Sequence, residues 1–151
     1  MKKNTILQEC WIWNNDVDLF VRNLIKGKSL NVCAGKSKLG DVKIDLDPTD
    51  KSIMKGDMRD LPFDNCSFDT VIQDPPWKIG YYERMRPFFE CVRVCKVGGI
   101  IIYNATWIPE SQSTKLIKVF ARQDNCFANT STISIHEKLT DEFDNYKKLS
   151  F

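Results

Sequence analysis

Residues 99–105 read GIIIYNA, and this stretch limits the possible folds more than any other. Its apolar run is continuous rather than alternating, so a strand made from it must be covered on both faces. Before it lie Gly98-Gly99 and, earlier still, residues 82–95 (YERMRPFFECVRVC), whose apolar spacing predicts a helix stopped by the glycine pair. A helix feeding a doubly covered strand is the unit from which parallel sheets are built.

Other segments supply neighbours for that strand. Residues 16–25 (DVDLFVRNLI) carry a helical apolar face that ends at Gly27, and strands are predicted at 29–34 (SLNVCA), 41–46 (DVKIDL) and 68–73 (FDTVIQ). Residues 116–122 (LIKVFAR) and 131–137 (STISIHE) predict two strands joined around the polar stretch 123–129. The expected architecture is α/β, with a mostly parallel central sheet, a C-terminal antiparallel hairpin and helices on both faces. A length of 151 residues suits one domain. It divides into a helical lead-in (1–28), a core (29–138) and a charged tail (139–151) expected to be mobile. So few residues separate the first two strands that their crossover helix should be little more than one turn.

Composition narrows the class. Hydrophobic residues make up 42% and charged residues 28%, and no apolar run approaches the roughly 20 residues that span a bilayer. The N-terminal apolar stretch is broken by Gln8, Glu9, Asn14 and Asn15 with no cleavage site after it, so a cytoplasmic location is expected. The six cysteines, at 10, 33, 66, 91, 95 and 126, include no Cys-x-x-Cys, and the single histidine, His136, is far from them in sequence. This spacing predicts buried thiols in a reducing compartment and no metal site. A net charge of +2 permits a nucleic-acid partner without requiring one.

Open α/β sheets bind ligands where the strands end. Gly35-Lys36-Ser37 matches the end of a phosphate-binding P-loop, but that pattern needs a glycine where this chain has Leu30. No G-x-G-x-x-G is present, which also argues against a dinucleotide. A ligand with a ribose and an adenine remains. Asp45 can take both ribose hydroxyls because a carboxylate accepts two hydrogen bonds at once, while Gly35 allows close backbone approach. Asp57 can receive the adenine amine, with Met58 packing on the ring. Asp47 reads as solvent-facing.

These residues carry a family resemblance. SLNVCAGKSKLG resembles the first motif of class I S-adenosylmethionine-dependent methyltransferases, VKIDLDP the second, and GDMRDLPFDNCSFDTV the third with its following strand. VRVCKVGGIII is similar to the element usually written R-V-L-K-P-G-G. The match spans roughly residues 30–105, about half the chain. It implies a Rossmann-like methyltransferase domain with S-adenosylmethionine as cofactor, held by Cys33, Ala34, Gly35, Asp45, Asp57, Met58 and Asp74. Asn31 stands where the family commonly has an acid, and Cys33 and Ser37 where it has glycines.

Asp74-Pro75-Pro76-Trp77 follows the third long strand and resembles the D-P-P-W motif of enzymes that methylate exocyclic amines, adenine N6 above all. The resemblance implies that these four residues are catalytic. Asp74 and the Pro75 carbonyl would accept the two amine N–H groups, and Trp77 would stack on a base taken out of its helix. Lys78, Tyr81, Tyr82, Arg84 and Arg86 mix cations with aromatics in a way that suits nucleic acid as well as a solvated helix start. Trp107 is a candidate for the substrate mouth, Trp11 and Trp13 for a lid or core edge, and His136 for a structural role. A protein glutamine amide is an alternative acceptor, and a catalytically weak partner subunit an alternative role. With no room after Trp77 for an added recognition region, specificity is expected from a partner chain, a homodimer or a shaped substrate, either DNA or RNA.

Overall fold

A computed structural model describes residues 15–124 and 129–142. Cys10, Trp11, Trp13, Cys126 and the tail beyond Glu142 lie outside the described residues. Helix α1 (Asn15–Leu24) leads into β1 (Ser29–Val32), β2 (Val42–Asp45), β3 (Met54–Lys55) and β4 (Phe68–Gln73). Helix α2 (Arg86–Val94) then precedes β5 (Cys95–Ala105), β6 (Thr114–Asp124) and β7 (Asn129–Lys138).

All seven strands join one sheet in the order β3-β2-β1-β4-β5-β7-β6. The first five in that order pair in parallel, and β7 runs antiparallel to both β5 and β6. The expected parallel middle and C-terminal hairpin are present, the hairpin longer than its sequence pattern indicated.

Side chains alternate across the sheet, which explains the continuous apolar runs. Val71 and Ile101 join Leu30, Val32, Phe88, Cys91 and Val92 on the α2 face. Ile72 and Ile102 join Val21, Leu39 and Ile133 on the α1 face, where Phe20 meets Phe120 edge-on at 4.7 Å. Each helix therefore covers one face. Burying residues such as Ile101 and Ile102 on opposite sides contributes about 1.5–3 kcal/mol apiece.

Three local expectations change. Residues 81–85 form turns, and α2 starts only at Arg86, with Pro87 in the first turn where its missing N–H is harmless. The helix runs directly into β5, so Cys95 begins a strand and Gly98-Gly99 lies inside that strand rather than before it. There β4 and β5 fall out of step, Phe68 pairing with Cys95 and Thr70 with Ile100. This bulge needs glycine twice: Gly98 has φ 80°, and a Cβ on Gly99 would sit 2.7 Å from the Asp69 carbonyl oxygen. Between β1 and β2 the chain crosses by turns without a helix.

Candidate active site

The chemistry-bearing residues collect where β1, β2, β3, β4 and β5 end. After β1 the backbone enters the left-handed region twice, at Cys33 (φ 57°) and Gly35 (φ 54°). This turn brings the Gly35 N–H to Asp45 Oδ2 at 2.8 Å, while the Asp47 N–H donates to Asp45 Oδ1 at 2.9 Å. Asp45 is thus fixed at the end of β2, and each oxygen keeps a lone pair for a further donor. Thr49 Oγ1 closes the turn by donating to the Gly35 carbonyl at 2.9 Å.

Asn31 and Ser37 have structural partners. Asn31 is buried and donates Nδ2 to the Leu39 carbonyl at 3.2 Å, and Ser37 Oγ accepts the Leu39 N–H at 3.2 Å. Together they shape the turn through residues 33–40 from within.

Asp57 follows β3 and is engaged by Arg59, which donates Nη2 to Oδ2 at 2.7 Å, Nε to Oδ1 at 3.0 Å and its backbone N–H to Oδ1 at 2.8 Å. Those side-chain bonds hold the Asp57 carboxyl below the usual carboxylate range. Arg59 also reaches Glu83 at 3.1 Å, linking the β3 loop to the segment after β4. Met58 lies with its sulfur 3.4 Å from Cys33 Sγ and 3.6 Å from Gln73 Nε2.

Cys33 sits among three carboxylates. Burial pushes its thiol far up, and the negative charges of Asp45, Asp74 and Asp57 push in the same direction. Asp45 closes β2, Asp57 follows β3 and Asp74 follows β4, so the three acids share one edge of the parallel strands. Tyr103 is close by: burial raises its hydroxyl, and Cys91, Cys33 and Asp74 add to the effect.

At the end of β4, Pro75 is buried, Asp74 and Trp77 are half-buried and Pro76 is exposed. Asn104, one residue before the end of β5, donates Nδ2 to Asp74 Oδ1 at 2.9 Å. The parallel register of Gln73 with Tyr103 puts the two chains level here. Three buried polar atoms near this strand end lack a hydrogen-bond partner: Tyr103 Oη, Asn104 Oδ1 and Trp107 Nε1. Buried polar groups are seldom left unpaired. Sequence reasoning passed over Asn104 and Tyr103. Their only signal was two polar groups closing an otherwise apolar strand.

His136 stands apart. It is buried beside Phe88 and 3.0 Å from Ser134 Oγ, in keeping with a structural role. Among the described residues no group of His, Cys, Asp or Glu could hold a metal ion, and Cys33, Cys66, Cys91 and Cys95 are free thiols. No helix among them is long and apolar enough to cross a membrane.

No protein-family model matches this chain, and no curated protein matches it in sequence. Solved structures do match in shape. A TehB-like S-adenosylmethionine-dependent methyltransferase from Corynebacterium glutamicum superposes with a TM-score of 0.64 at 12% identity, covering 87% of this chain and 92% of that one. The fold is that of S-adenosylmethionine-dependent methyltransferases. A Burkholderia thailandensis 1,6-didemethyltoxoflavin N1-methyltransferase, bound to its substrate and S-adenosylhomocysteine, gives a TM-score of 0.64 at 7% identity over 83% of this chain and 78% of its own. A Haloferax volcanii protein, solved in complex with the methyltransferase activator Trm112, gives 0.59 at 13% identity over 84% and 89%. At such identities the likeness shows fold, so function has to be argued from the site.

Proposed function

We propose that this chain transfers a methyl group from S-adenosylmethionine to an exocyclic amino nitrogen, N6 of adenine in DNA or RNA. The observation that carries this reading is the Asp74-Pro75-Pro76-Trp77 strand end, held by Asn104 and level with the turn after β1, since Gln73 pairs with Val32.

The residues present fit the cofactor. Asp45 keeps acceptor capacity for two ribose hydroxyls, and Cys33, Ala34 and Gly35 form the turn beside it. Asp45, Asp57 and Asp74 make a negative environment suited to a ligand that carries a sulfonium and an ammonium. Asp57 serves the adenine amine once Arg59 yields part of its hold, and Met58 offers an apolar surface beside it. When bound, S-adenosylmethionine supplies an electrophilic methyl.

The chain's own groups prepare the acceptor. An exocyclic amine is a poor nucleophile because its lone pair is spread into the ring. Asp74 accepts one N–H and the Pro75 carbonyl the other, which turns the lone pair out of conjugation and fixes its direction. The Asp74 carboxylate then stabilises the positive charge that develops on nitrogen. Pro75 and Pro76 give the strand end a stiff backbone, and neither brings an N–H that would need a partner. Trp77 stacks on the base. A partner chain belongs to this reading, and the Haloferax volcanii neighbour was solved in complex with a methyltransferase activator.

Calorimetric titration of S-adenosylmethionine and S-adenosylhomocysteine into wild type and Asp45→Ala is the first test. Micromolar binding lost in the variant is expected. Tritium transfer from labelled cofactor to adenine-containing oligonucleotides should follow, with Asp74→Ala inactive. Transfer to a glutamine peptide instead would change the acceptor, and failure of the wild type to bind either cofactor form would overturn the reading.

A further inference from the structure

Directly after Asp74-Pro75-Pro76-Trp77 the chain runs through turns to α2 and leaves aromatic rings in water. Tyr82 is 94% exposed and Tyr81 68% exposed, their rings edge-on at 5.4 Å. Exposed aromatics side by side are unusual unless a partner covers them. Arg84 holds this pair against the site: its guanidinium lies 4.2 Å from the centre of the Tyr81 ring and 5.8 Å from that of Trp107, which stands just beyond the end of β5. Lys78 and Arg86 are exposed on the same stretch. Its one acid, Glu83, is paired with Arg59, so the surface is cationic where the rings are bare.

We propose that Tyr81 and Tyr82, with Lys78, Arg84 and Arg86, form a stacking platform for an unpaired nucleic-acid strand, whose bases flank the one presented to Asp74. Every base offers a face to an aromatic ring, and every linkage offers a phosphate to a cation, so this combination holds a single strand without reading its sequence. A duplex keeps its base faces stacked inside and cannot use the rings. A peptide would use neither the repeated faces nor three cations, which favours nucleic acid over a protein acceptor. The platform borrows from the adenine reading only the identity of the presented base.

The test is fluorescence anisotropy with a labelled, adenine-containing oligonucleotide of about 12 nucleotides, single-stranded and as a duplex, at one fixed salt concentration with S-adenosylhomocysteine present. Single-strand binding at least about tenfold tighter than duplex binding is expected, and Tyr81→Ala and Tyr82→Ala should each weaken it by roughly tenfold. Both side chains are exposed, so cofactor affinity and thermal stability should not change. Tyr82→Phe should bind like wild type. Equal affinity for duplex, no binding to either form, or full single-strand affinity in both alanine variants would overturn the platform. If the strand binds through the tyrosines but no methyl is transferred, the adenine reading fails and the platform stands. If transfer persists undiminished in the alanine variants, the platform fails and the adenine reading stands.

Discussion

Asn104 shows how much one side chain can add to a motif. Asp74 is conspicuous in sequence, yet its orientation depends on an amide donated from the neighbouring strand at 2.9 Å. On the proposed role of Asp74, Asn104→Ala should lower the methyl-transfer rate by about tenfold or more by leaving that carboxylate free to turn, while S-adenosylhomocysteine affinity stays within about twofold. Paired kinetics and calorimetry on the same preparation check this. His136 makes a different prediction, about stability. Burial lowers its pKa from 6.5 to about 4, so it stays neutral in the fold through mildly acidic pH. Unfolded chain takes up the proton first as pH falls below about 6.5, so stability is full above that value and declines toward pH 4. Between pH 7 and 5 the loss should be about 2 kcal/mol in urea unfolding. His136→Asn should shrink that difference.

Among the elements, α2 does more than cover a face. Glu90 and Arg93 lie on it, almost wholly buried, and make a closed network: Glu90 accepts the Leu61 N–H at 2.7 Å and Arg93 Nε at 2.8 Å. Arg93 donates to the carbonyls of Phe63 at 2.7 Å and Leu61 at 2.9 Å. The pair pins the stretch between β3 and β4 to the helix, and with it the loop that carries Asp57 and Met58. Removing one partner strands a buried charge, so Glu90→Ala or Arg93→Ala should destabilise by about 3–5 kcal/mol in denaturant unfolding. Replacing both with apolar residues of similar size should do less harm. The β5 bulge is equally intolerant. Gly99→Ala meets the Asp69 carbonyl and Cys95 Sγ within 2.8 Å, and thermal unfolding should fall by several degrees, since about 1 kcal/mol moves a chain of this size about 2–4 °C.

For the molecule as a whole, cofactor binding and folding are linked. The Asp45 turn, the Asp57 loop and the Asp74 strand end come from separate parts of the chain, and only the folded state brings them together. S-adenosylhomocysteine at about 100 times its dissociation constant should add about 2.7 kcal/mol of stability. A rise of about 5–10 °C in unfolding temperature follows. Scanning fluorimetry should show this for wild type and no shift for Asp45→Ala.

Residues 30–105 by themselves determined the class of fold and the strand ends at which a site was sought. Continuous apolar runs can be buried only in a sheet covered on both faces, and an acid or a proline pair after such a run can lie only at a strand end. The places of Asp45 and Asp74 at strand ends were legible for that reason. Other features depend on distance across the sheet, which sequence does not encode. The Asn104 bond to Asp74 and the approach of Arg84 to Trp107 each join residues separated in the chain. The hold of Arg59 on Asp57 is local in sequence, yet its further reach to Glu83 required the fold. The glycine pair at 98–99 misled because a helix stop and a bulge need the same freedom of backbone. Only the pairing of β4 with β5 decided between them.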